Sequence, residues 1–434
     1  MSIKELYTIY KKCSGVSTDS RRIKSGDLYF SLRGDTYDGN AFAADALEKG
    51  AGFAVIDHPG YKRGDQYILV EDSLKTLQEL ARYHRQSFHI PVIGLTGSNG
   101  KTTTKELIKL VLSQQFNVFA TEGNLNNHIG VPLTLLAMPE KTEVAIIEMG
   151  ANHIGEIANS CSIAMPNHGL ITNIGKAHIG EFGSFENIKK AKGELYDYLM
   201  QNNGKVFVNT DHALLTNMLK SYKRNIITYG SNIGEFCPGN IISDMVNLRF
   251  AFKSRHQKEN IEVNTKIFGT YNLENFLAAA CVGLYFNINE YKIKYALESY
   301  EADNNRSQLV KTRSNLVYLD AYNANPSSME KAITYFSQDE DKNKVMILGD
   351  MMEMGDFSSE EHQHVLELVR KNHMEQAIFV GNSFKEHQKS YPEFLFFASQ
   401  REFIKWIAEH PFKAQRIYVK GSRSLHLEDL LEYL

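Results

Sequence analysis

The sequence predicts an α/β protein of three domains, and three observations support this prediction. The chain has 434 residues, enough for two or three domains of ordinary size. Two series of apolar strands alternate with helical stretches, and a polar run at residues 301–307 separates the two series. The first strand of the first series leads through a glycine-rich turn into a helix. Such alternation is typical of parallel sheets with helices on both faces.

Residues 1–88 are predicted to form a small N-terminal α/β domain. Apolar runs at 27–32 and 52–56 are typical of short strands, and a helical stretch at 73–84 closes this part.

Residues 89–304 are predicted to form a central domain whose parallel sheet carries the glycine-rich turn. Its strands are predicted from the apolar runs 90–95, 144–148, 170–173, 206–209 and 226–229. Residues 240–270 break this rhythm with alternating polar segments, which suggests an antiparallel flap. Two helical stretches follow, at 273–286 and 290–300.

Residues 305–434 start a fresh α/β alternation and are predicted to form a Rossmann-like C-terminal domain. Its strands are predicted at 316–320, 345–349, 377–380 and 417–419.

The turn after the first central strand carries the strongest functional signal, because residues 96–106 read TGSNGKTTTKE. Its glycines let backbone N–H groups turn toward phosphate oxygens, and the helix N-terminus adds partial positive charge. Lys101 can reach the outer phosphates of a nucleoside triphosphate, and the Thr102 hydroxyl can bind magnesium. The predicted nucleotide-binding residues are Gly97, Ser98, Asn99, Gly100, Lys101, Thr102 and Thr103.

This loop is shorter than the usual phosphate loop, since Leu95 stands where that pattern has glycine. The alternative is a plain glycine turn that joins a strand to a helix. The Lys-Thr-Thr run and the preceding strand favour the phosphate loop.

Two further strand ends of the central domain carry polar side chains. Glu148 ends the run at 144–148, where a magnesium ion on the phosphates needs a carboxylate, and His178 follows the run at 170–173. A glutamate at a strand end is often only solvated, and a lone histidine is often an ordinary loop residue. Both candidates therefore depend on the neighbouring phosphate loop.

Lys192 is predicted to point inward. In the helical stretch 185–199, Lys192 completes an apolar stripe of Ile188, Leu195 and Leu199 at 4-3-4 spacing. Burial lowers the pKa of a lysine, and a neutral amine can add CO₂ to become a metal-binding carbamate. The alternative, which periodicity alone favours, is a packed stem whose charged end reaches water.

Strand ends of the C-terminal domain suggest a second binding face. Asp320 can accept hydrogen bonds from ribose hydroxyls, and Tyr322 or its neighbouring asparagines can contact a base. Lys420 and Arg423, in the run KGSR, form either an anion site or a plain basic turn.

Composition excludes several classes of protein. Hydrophobic residues make up 43% and charged residues 23%, and a dispersed net charge of −3 argues against a nucleic-acid partner. The N-terminus has no signal-peptide pattern and no apolar run reaches about 18 residues, so no stable membrane insertion is expected. The four cysteines form no CxxC pair, which fits a reducing compartment, and a cytoplasmic protein is predicted.

Together these motifs resemble those of the Mur ligases, the ATP-dependent amide-forming enzymes of peptidoglycan precursor synthesis. The resemblance lies in the phosphate loop, the Glu148 strand end, the Ala177-His178 pair and the run AKGE at 191–194. It extends through all three predicted domains in the segments STDSRRIKSGDLYFSLRG, GNLNNHIGVPLTLL, EMGANHIGEIA, DAYNANPSSM, LGDMMEMG and VKGSR. The NLNN and KGSR elements argue against a folylpolyglutamate synthase, which the phosphate loop alone would also fit.

The resemblance implies that ATP activates the terminal carboxyl of UDP-N-acetylmuramoyl-tripeptide (UDP-MurNAc-tripeptide). The amine of D-alanyl-D-alanine (D-Ala-D-Ala) then displaces phosphate, with Mg²⁺ as cofactor. The C-terminal domain is expected to close on the nucleotide, and a monomer is expected. The tripeptide's third residue, diaminopimelate or lysine, stays open. A non-enzymatic nucleotide switch is the alternative from another class, and it has no need of Glu148, His178 and an inward lysine.

The resemblance also implies roles for individual residues. The implied catalytic residues are Lys101, Glu148, His178 and Lys192. The implied metal ligands are Thr102, Glu148, His178 and carbamylated Lys192. Further nucleotide contacts fall to Asn272, Asn275, Arg306, Asp320 and Asn325. Substrate contacts fall to Ser20, Arg21 and Arg33 for the UDP group, Asn124, Asn126 and Asn127 for the muramoyl peptide, and Lys420 or Arg423 for the D-Ala-D-Ala carboxylate.

Overall fold

The computed structural model describes residues 1–232, 235–244, 246–254, 259–302 and 305–434. In chain order, the described strands form a four-stranded, a nine-stranded and a six-stranded sheet, with a separate two-stranded hairpin. This arrangement confirms the predicted α/β fold of three domains. The domain boundaries stay predictions, and the boundary at residue 304 lies outside the described residues.

The N-terminal sheet is parallel throughout. The described elements of this part are α1 (Ile3–Tyr10), β1 (Val16–Ser17), β2 (Leu28–Phe30), β3 (Arg33–Gly34), β4 (Tyr37–Asp38), α2 (Ala43–Glu48), β5 (Phe53–Ile56), β6 (Tyr67–Leu69) and α3 (Ser73–Gln86). The sheet order is β1-β2-β5-β6, while β3 and β4 form the hairpin. Along α3, Leu77, Leu80 and Ala81 are buried, and this 3-4 spacing explains why the sequence predicted the helix.

The central sheet has nine described strands in the order β15-β14-β13-β12-β11-β10-β7-β9-β8. They are β7 (Val92–Thr96), β8 (Val118–Ala120), β9 (Val144–Glu148), β10 (His168–Ile171), β11 (Lys205–Asn209), β12 (Ile226–Gly230), β13 (Cys237–Ser243), β14 (Arg249–Phe252) and β15 (Ile261–Asn264). The helices are α4 (Lys101–Leu112), α5 (Gly130–Leu136), α6 (Glu156–Ala164), α7 (Ile179–Phe182), α8 (Phe185–Gln201), α9 (Ala213–Met218), α10 (Leu273–Tyr285) and α11 (Glu290–Ser299).

The segment predicted as an antiparallel flap belongs instead to the edge of the central sheet. Strand β13 pairs in parallel with β12, and β14 and β15 continue the sheet in antiparallel fashion. The antiparallel pairing expected in this segment is therefore present, but as an extension of the central sheet, whose other described strand pairs are parallel. Residues 245 and 255–258 of the segment lie outside the described residues.

The central sheet has an apolar core on each face because side chains alternate along its strands. Ile93 and Leu95 of β7 pack in a cluster with Leu107 of α4. Val92, whose side chain points to the other face of the sheet, packs in the opposite cluster with Leu195 of α8. Helices on both faces were predicted, and this packing confirms them.

The C-terminal sheet is parallel except for β16, in the order β16-β17-β21-β18-β19-β20. Its described elements are β16 (Gln308–Lys311), β17 (Leu316–Asp320), α12 (Pro326–Ser337), β18 (Lys344–Gly349), α13 (Ser358–Lys371), β19 (Ala377–Val380), α14 (Asn382–Lys385), β20 (Leu395–Phe397), α15 (Gln400–Glu409) and β21 (Arg416–Lys420). Asn325 caps α12, because its Oδ1 accepts from the backbone N–H of Ser328 at 3.0 Å.

Two general features bear on the environment of the chain. In the part of the chain that the structure describes, none of the helices is both long and apolar enough to cross a membrane. The four cysteines are free thiols, and Cys161, Cys237 and Cys281 are buried.

Candidate active site

Three strand ends meet at the carboxyl edge of the central sheet, because β7 is hydrogen-bonded to both β9 and β10. The phosphate loop follows β7, Glu148 ends β9, and the segment leading to His178 follows β10. Strand β10 ends two residues earlier than predicted, since Thr172 and Asn173 turn toward the loop. The Thr172 hydroxyl donates to the Asn99 carbonyl at 2.6 Å.

The phosphate loop depends on two glycines in left-handed conformations. Gly97 has a φ of 146°, and a Cβ there would lie 1.9 Å from the Thr172 hydroxyl. Gly100 has a φ of 77°, and a Cβ there would lie 2.5 Å from Oδ1 of Asn275. Only glycine fits at both positions. The loop therefore packs closely against β10 and α10 while α4 begins at Lys101.

Lys101 folds back over its own loop. Its Nζ donates to the carbonyl oxygens of Gly97 at 2.7 Å and Ser98 at 3.3 Å. Burial lowers the pKa of Lys101, and the charge of Glu148 opposes this effect. The Lys101 ammonium and the unpaired amides of the first turn of α4 together place positive charge where phosphates would bind.

Glu148 is a buried carboxylate, only 1% exposed, at the centre of a polar cluster. The Thr102 hydroxyl donates to its Oε2 at 3.1 Å, and Nδ2 of Asn126 donates to its Oε1 at 2.8 Å. Lys105 contributes the nearest described cation, with Nζ 3.9 Å from Oε2. The carboxylate is therefore held next to the threonine hydroxyl of the loop.

Lys192 is 1% exposed, which confirms its inward orientation and contradicts the alternative in which its charge reaches water. Its Nζ lies 3.4 Å from the Ala151 carbonyl oxygen and 5.5 Å from the centre of the Phe182 ring. Burial, followed by the charge of Lys101, lowers the pKa of Lys192 to about 7. An appreciable fraction of the side chain is thus a neutral amine near neutral pH.

His178 joins the central domain to the C-terminal domain. It adopts a left-handed backbone conformation at the start of α7, and its Nδ1 lies 2.7 Å from Oε2 of Glu353. The proximity of His178 lowers the pKa of the Glu353 carboxyl. The pairing fixes the imidazole at the rim of the loop.

A chain of hydrogen bonds between side-chain amides and hydroxyls borders the site. Asn275 Oδ1 accepts from the Thr104 hydroxyl at 3.0 Å, and its Nδ2 donates to Asn272 Oδ1 at 3.0 Å. Asn272 in turn donates to the Ser307 hydroxyl at 3.1 Å. This chain links α4, α10 and the start of the C-terminal domain.

The C-terminal domain lies directly against the phosphate loop. Nδ2 of Asn325 donates to Oδ1 of Asn99 at 2.7 Å. Lys420 is 2% exposed, and its Nζ donates to Oδ2 of Asp320 at 2.6 Å. Arg306 lies over the Tyr322 ring, with 3.7 Å between the guanidinium carbon and the ring centre.

These groups enclose a cavity of about 240 Å³ between the loop and the C-terminal domain. The predicted site residues that line it are Ser98, Asn99, Gly100, Lys101, Thr102, Thr103, Asn124, Asn126, Glu148, His178, Asn272, Asn275, Arg306, Asp320, Asn325 and Lys420. Predicted nucleotide, metal and peptide contacts from the central and C-terminal domains thus line one cavity.

Other predicted residues do not line this cavity, namely Gly97, Lys192, Asn127, Ser20, Arg21, Arg33 and Arg423. Asn127 is a structural residue here, since its Oδ1 accepts from the backbone of Ile129 at 3.1 Å and Gly130 at 2.8 Å. In the N-terminal domain, Arg21 pairs with Asp19 at 2.8 Å and Arg33 with Asp57 at 2.7 Å.

Ser20, the third predicted UDP contact, is only 9% exposed, and its carbonyl oxygen accepts from Nζ of Lys49 at 3.2 Å. The roles predicted for Ser20, Arg21 and Arg33 stay predictions.

Sequence reasoning missed three charged residues of the site. Lys105 is fully buried beneath the loop, and its spacing to Ile108 and Leu112 on α4 is the same signal that identified Lys192. Glu274 accepts from Lys331 of α12 at 2.7 Å and lies beside the cavity with it. No local pattern points to that pair, because its members belong to different domains.

The fold and the cavity define a phosphate-loop α/β protein whose C-terminal domain faces the nucleotide site of the central domain. Three family models match the chain: the Mur ligase middle domain at residues 95–283, the Mur ligase glutamate ligase domain at 305–423, and the Mur ligase family catalytic domain at 12–85. The chain belongs to the Mur ligase family.

Relatives and solved structures match over nearly the whole chain. The chain is 34% identical to the UDP-N-acetylmuramoyl-tripeptide–D-alanyl-D-alanine ligase of Bacillus subtilis, over 97% of this chain and 93% of the relative. It is 32% identical to the ligase of that name from Escherichia coli, over 96% and 92% of the two chains.

Among solved structures, MurF from Acinetobacter baumannii aligns with a TM-score of 0.88 at 28% identity, covering 99% of this chain and 98% of that one. MurF ligase from Thermotoga maritima in complex with ADP aligns with a TM-score of 0.86 at 26% identity, covering 98% and 97%. These findings confirm the predicted family and fold.

Proposed function

We propose that this chain is an ATP-dependent ligase that joins D-Ala-D-Ala to the C-terminal carboxyl of UDP-MurNAc-tripeptide, giving UDP-MurNAc-pentapeptide for peptidoglycan. The carrying observation is the near-full-length similarity to ligases with this activity, at 34% identity over 97% of the chain. The Thermotoga maritima relative was solved with ADP, which supports ATP as the energy source.

ATP is required because a carboxylate is a poor electrophile at neutral pH. A carboxylate oxygen of the tripeptide attacks the γ-phosphorus, ADP leaves, and an acyl phosphate forms. The amine nitrogen of D-Ala-D-Ala then attacks the acyl carbon and loses a proton, and inorganic phosphate leaves. Phosphoryl transfer depends mainly on positioning and charge neutralisation. Lys101 and the first-turn amides of α4 provide both around the phosphates.

Thr102 of the phosphate loop and Glu148 at the end of β9 fit a Mg²⁺ ion. Thr102 Oγ1 and Glu148 Oε2 are oxygen donors 3.1 Å apart beside the phosphate loop, and Mg²⁺ prefers such ligands together with phosphates and water. When bound, the ion neutralises phosphate charge. We assign Thr102 and Glu148 to one ion. His178, whose Nδ1 faces Glu353, and carbamylated Lys192 would hold a second ion.

The surroundings of Lys192 also fit a carbamate. A neutral amine attacks CO₂ at carbon and releases one proton, and burial favours the neutral amine. The product is an anion that would relieve the repulsion between Lys192 and Lys101. Carbon-13 NMR of protein equilibrated with ¹³C-bicarbonate tests this assignment. The expected carbamate signal must disappear in Lys192→Met, and its absence from the unaltered chain contradicts the assignment.

Substrate contacts follow from the position of the cavity. Asn124 and Asn126 line it and remain the candidates for the muramoyl peptide. Lys420 is already bound to Asp320 at 2.6 Å, whereas Arg423 is exposed, which favours Arg423 for the D-Ala-D-Ala carboxylate. Ser20, Arg21 and Arg33 remain the candidates for the UDP group. We further propose that the protein acts as a cytoplasmic monomer, in keeping with its use of ATP and its free thiols.

The test is phosphate release coupled to peptide-bond formation. Purified protein receives ATP, Mg²⁺, D-Ala-D-Ala and UDP-MurNAc-tripeptide with either diaminopimelate or lysine as third residue, and each reactant is omitted in turn. We expect equal amounts of ADP and UDP-MurNAc-pentapeptide, only when all four are present. Phosphate release that ignores D-Ala-D-Ala would identify a nucleotide switch instead. Product with a folate and glutamate would identify a folylpolyglutamate synthase.

A further inference from the structure

Arg306 stacks on an aromatic ring at the cavity, and none of the described residues forms an ion pair with it. Its guanidinium carbon lies 3.7 Å from the centre of the Tyr322 ring. Its Nε is buried and has no hydrogen-bond partner among the described residues. Both Arg306 and Tyr322 line the cavity beside the phosphate loop.

The backbone around Arg306 supports a functional reason for this placement. Asn305 has a φ of 58° and Ser307 a φ of 47°, so both neighbours occupy the left-handed region that non-glycine residues rarely adopt. Strained residues of this kind persist where the surrounding structure enforces them. Here the Ser307 hydroxyl accepts from Asn272 at 3.1 Å, and this contact ties the strained segment to α10.

The turn that carries Tyr322 is fixed at both ends. At one end Lys420 donates to Asp320 at 2.6 Å and to the Asn323 carbonyl at 3.2 Å. At the other end Asn325 caps α12 and donates to Asn99 of the phosphate loop at 2.7 Å. The aromatic ring therefore has a fixed place relative to the loop.

Stacking and ion pairing have different consequences for an arginine. A guanidinium that stacks by its face keeps its in-plane N–H donors available, and its charge is not neutralised. A carboxylate partner would occupy two donors and cancel the charge. An arginine that binds phosphate therefore keeps more of its N–H donors and its full charge when an aromatic ring holds it than when a carboxylate does.

We propose that Tyr322 is a positioning residue whose ring holds the Arg306 guanidinium so that its N–H donors face the phosphates of bound ATP. The inference rests on the proposed function, because it assigns Arg306 to ATP. It gives Tyr322 a role different from contact with the base. It also explains why Lys420, buried behind the turn, binds Asp320 and Asn323.

The test is a double-substitution cycle measured as kcat/KM for ATP in the full ligation assay. Tyr322→Leu removes the ring, Tyr322→Phe retains it, and each is made in the native chain and together with Arg306→Ala. We expect Tyr322→Leu to lower kcat/KM for ATP about tenfold in the native chain. We expect Tyr322→Phe to stay within about twofold of the native chain. With Arg306→Ala present, Tyr322→Leu should cause no further loss. Tyr433→Leu, at an exposed tyrosine of the same domain, serves as the matched control and should leave activity unchanged.

The outcomes separate the inference from the function beneath it. An equal loss from Tyr322→Leu with and without Arg306 would show that Tyr322 acts independently of Arg306, and the inference would be wrong. Arg423, whose guanidinium carbon lies 5.3 Å from the centre of the same ring, would then be the other candidate. If the native chain has ligase activity and Tyr322→Leu has the same kcat/KM for ATP, the inference about Tyr322 is wrong and the proposed function is unaffected. If the native chain forms no pentapeptide at all, the proposed function fails first. Thermal unfolding midpoints confirm that each variant is folded.

Discussion

Nδ1 of His178 lies 2.7 Å from Oε2 of Glu353, and this pair joins the central and C-terminal domains at the rim of the cavity. Both residues have left-handed backbone conformations, with φ of 56° and 64°. Close by, a Cβ on Gly180 would lie 2.6 Å from the backbone nitrogen of Gly355, so the two segments meet without room for a side chain. The imidazole therefore faces a carboxylate of another domain.

Glu353→Ala should lower kcat about tenfold, because partners that orient a catalytic histidine commonly contribute 10- to 100-fold. Glu353→Gln keeps a hydrogen-bond acceptor for Nδ1 and should lose less. Glu375→Ala, at an exposed glutamate of the same domain, is the control. Steady-state kinetics with saturating substrates checks the prediction. Wild-type kcat in Glu353→Ala would show that His178 needs no partner.

Lys192→Met should abolish ligation, with a loss of roughly 100-fold or more, while leaving the fold intact. Methionine can fill the buried site, since Lys192 is 1% exposed and packs beneath Phe182. Lys190→Met, at an exposed position on the same helix, should keep activity. Ligation rates and circular dichroism distinguish lost chemistry from lost structure. A Lys192→Met enzyme with the native rate would remove this residue from the mechanism.

Lys331→Met should raise the KM for ATP by about twofold to fivefold. Lys331 Nζ donates to Oε1 of Glu274 at 2.7 Å, and this ion pair ties α12 of the C-terminal domain to α10 at the cavity wall. A partly exposed pair contributes about 1 kcal/mol or less, which matches a change of this size. Titration of ATP in the ligation assay measures it.

Glu274→Gln combined with Lys331→Met should cost no more than the larger single change, because the two groups act as a pair. Lys371→Met, at an exposed lysine of α13, is the control. Fully additive losses would mean that the ion pair does not link the domains.

Acid should destabilise the N-terminal domain through His84. This side chain is 3% exposed among Tyr7, Tyr10 and Phe88, and burial lowers its pKa to about 4. Between about pH 4 and 6.5 the unfolded chain binds a proton at this site and the folded chain does not, so stability falls as the pH is lowered.

The expected loss from this one group is about 2 kcal/mol on going from pH 8 to pH 5. Denaturant unfolding of native chain and His84→Gln at both pH values measures it. Glutamine does not titrate, so the variant should show a smaller pH dependence by that amount. An identical pH dependence in the two proteins would assign the acid effect to other groups. His89→Gln, at a neighbouring histidine, provides the comparison.

Local sequence patterns were sufficient to predict those features whose physical cause lies within a single segment. The turn at Gly97 and Gly100 could be predicted because only glycine allows that backbone conformation beside Thr172 and Asn275. Helical spacing predicted that Lys192 faces inward, and its burial confirms this. Periodicity alone favoured an amine that reaches water, and the burial of Lys192 contradicts this. Both arrangements place the stem on the same face. Lys105 is also buried on a helical stripe, with the same spacing to Ile108 and Leu112, and was not predicted.

By itself the sequence determined the α/β class, the three parts, the phosphate loop and the family, because glycines, strand periodicity and short motifs act within a few residues. Only the tertiary structure decided that Glu353 orients His178, that Lys331 reaches Glu274, and that Tyr322 lies under Arg306. His178 and Glu353 are 175 positions apart, and nothing local in the chain specifies such a contact. These distant pairs exist because the central and C-terminal domains pack against each other, and side chains that share a surface are then forced to match in charge and shape.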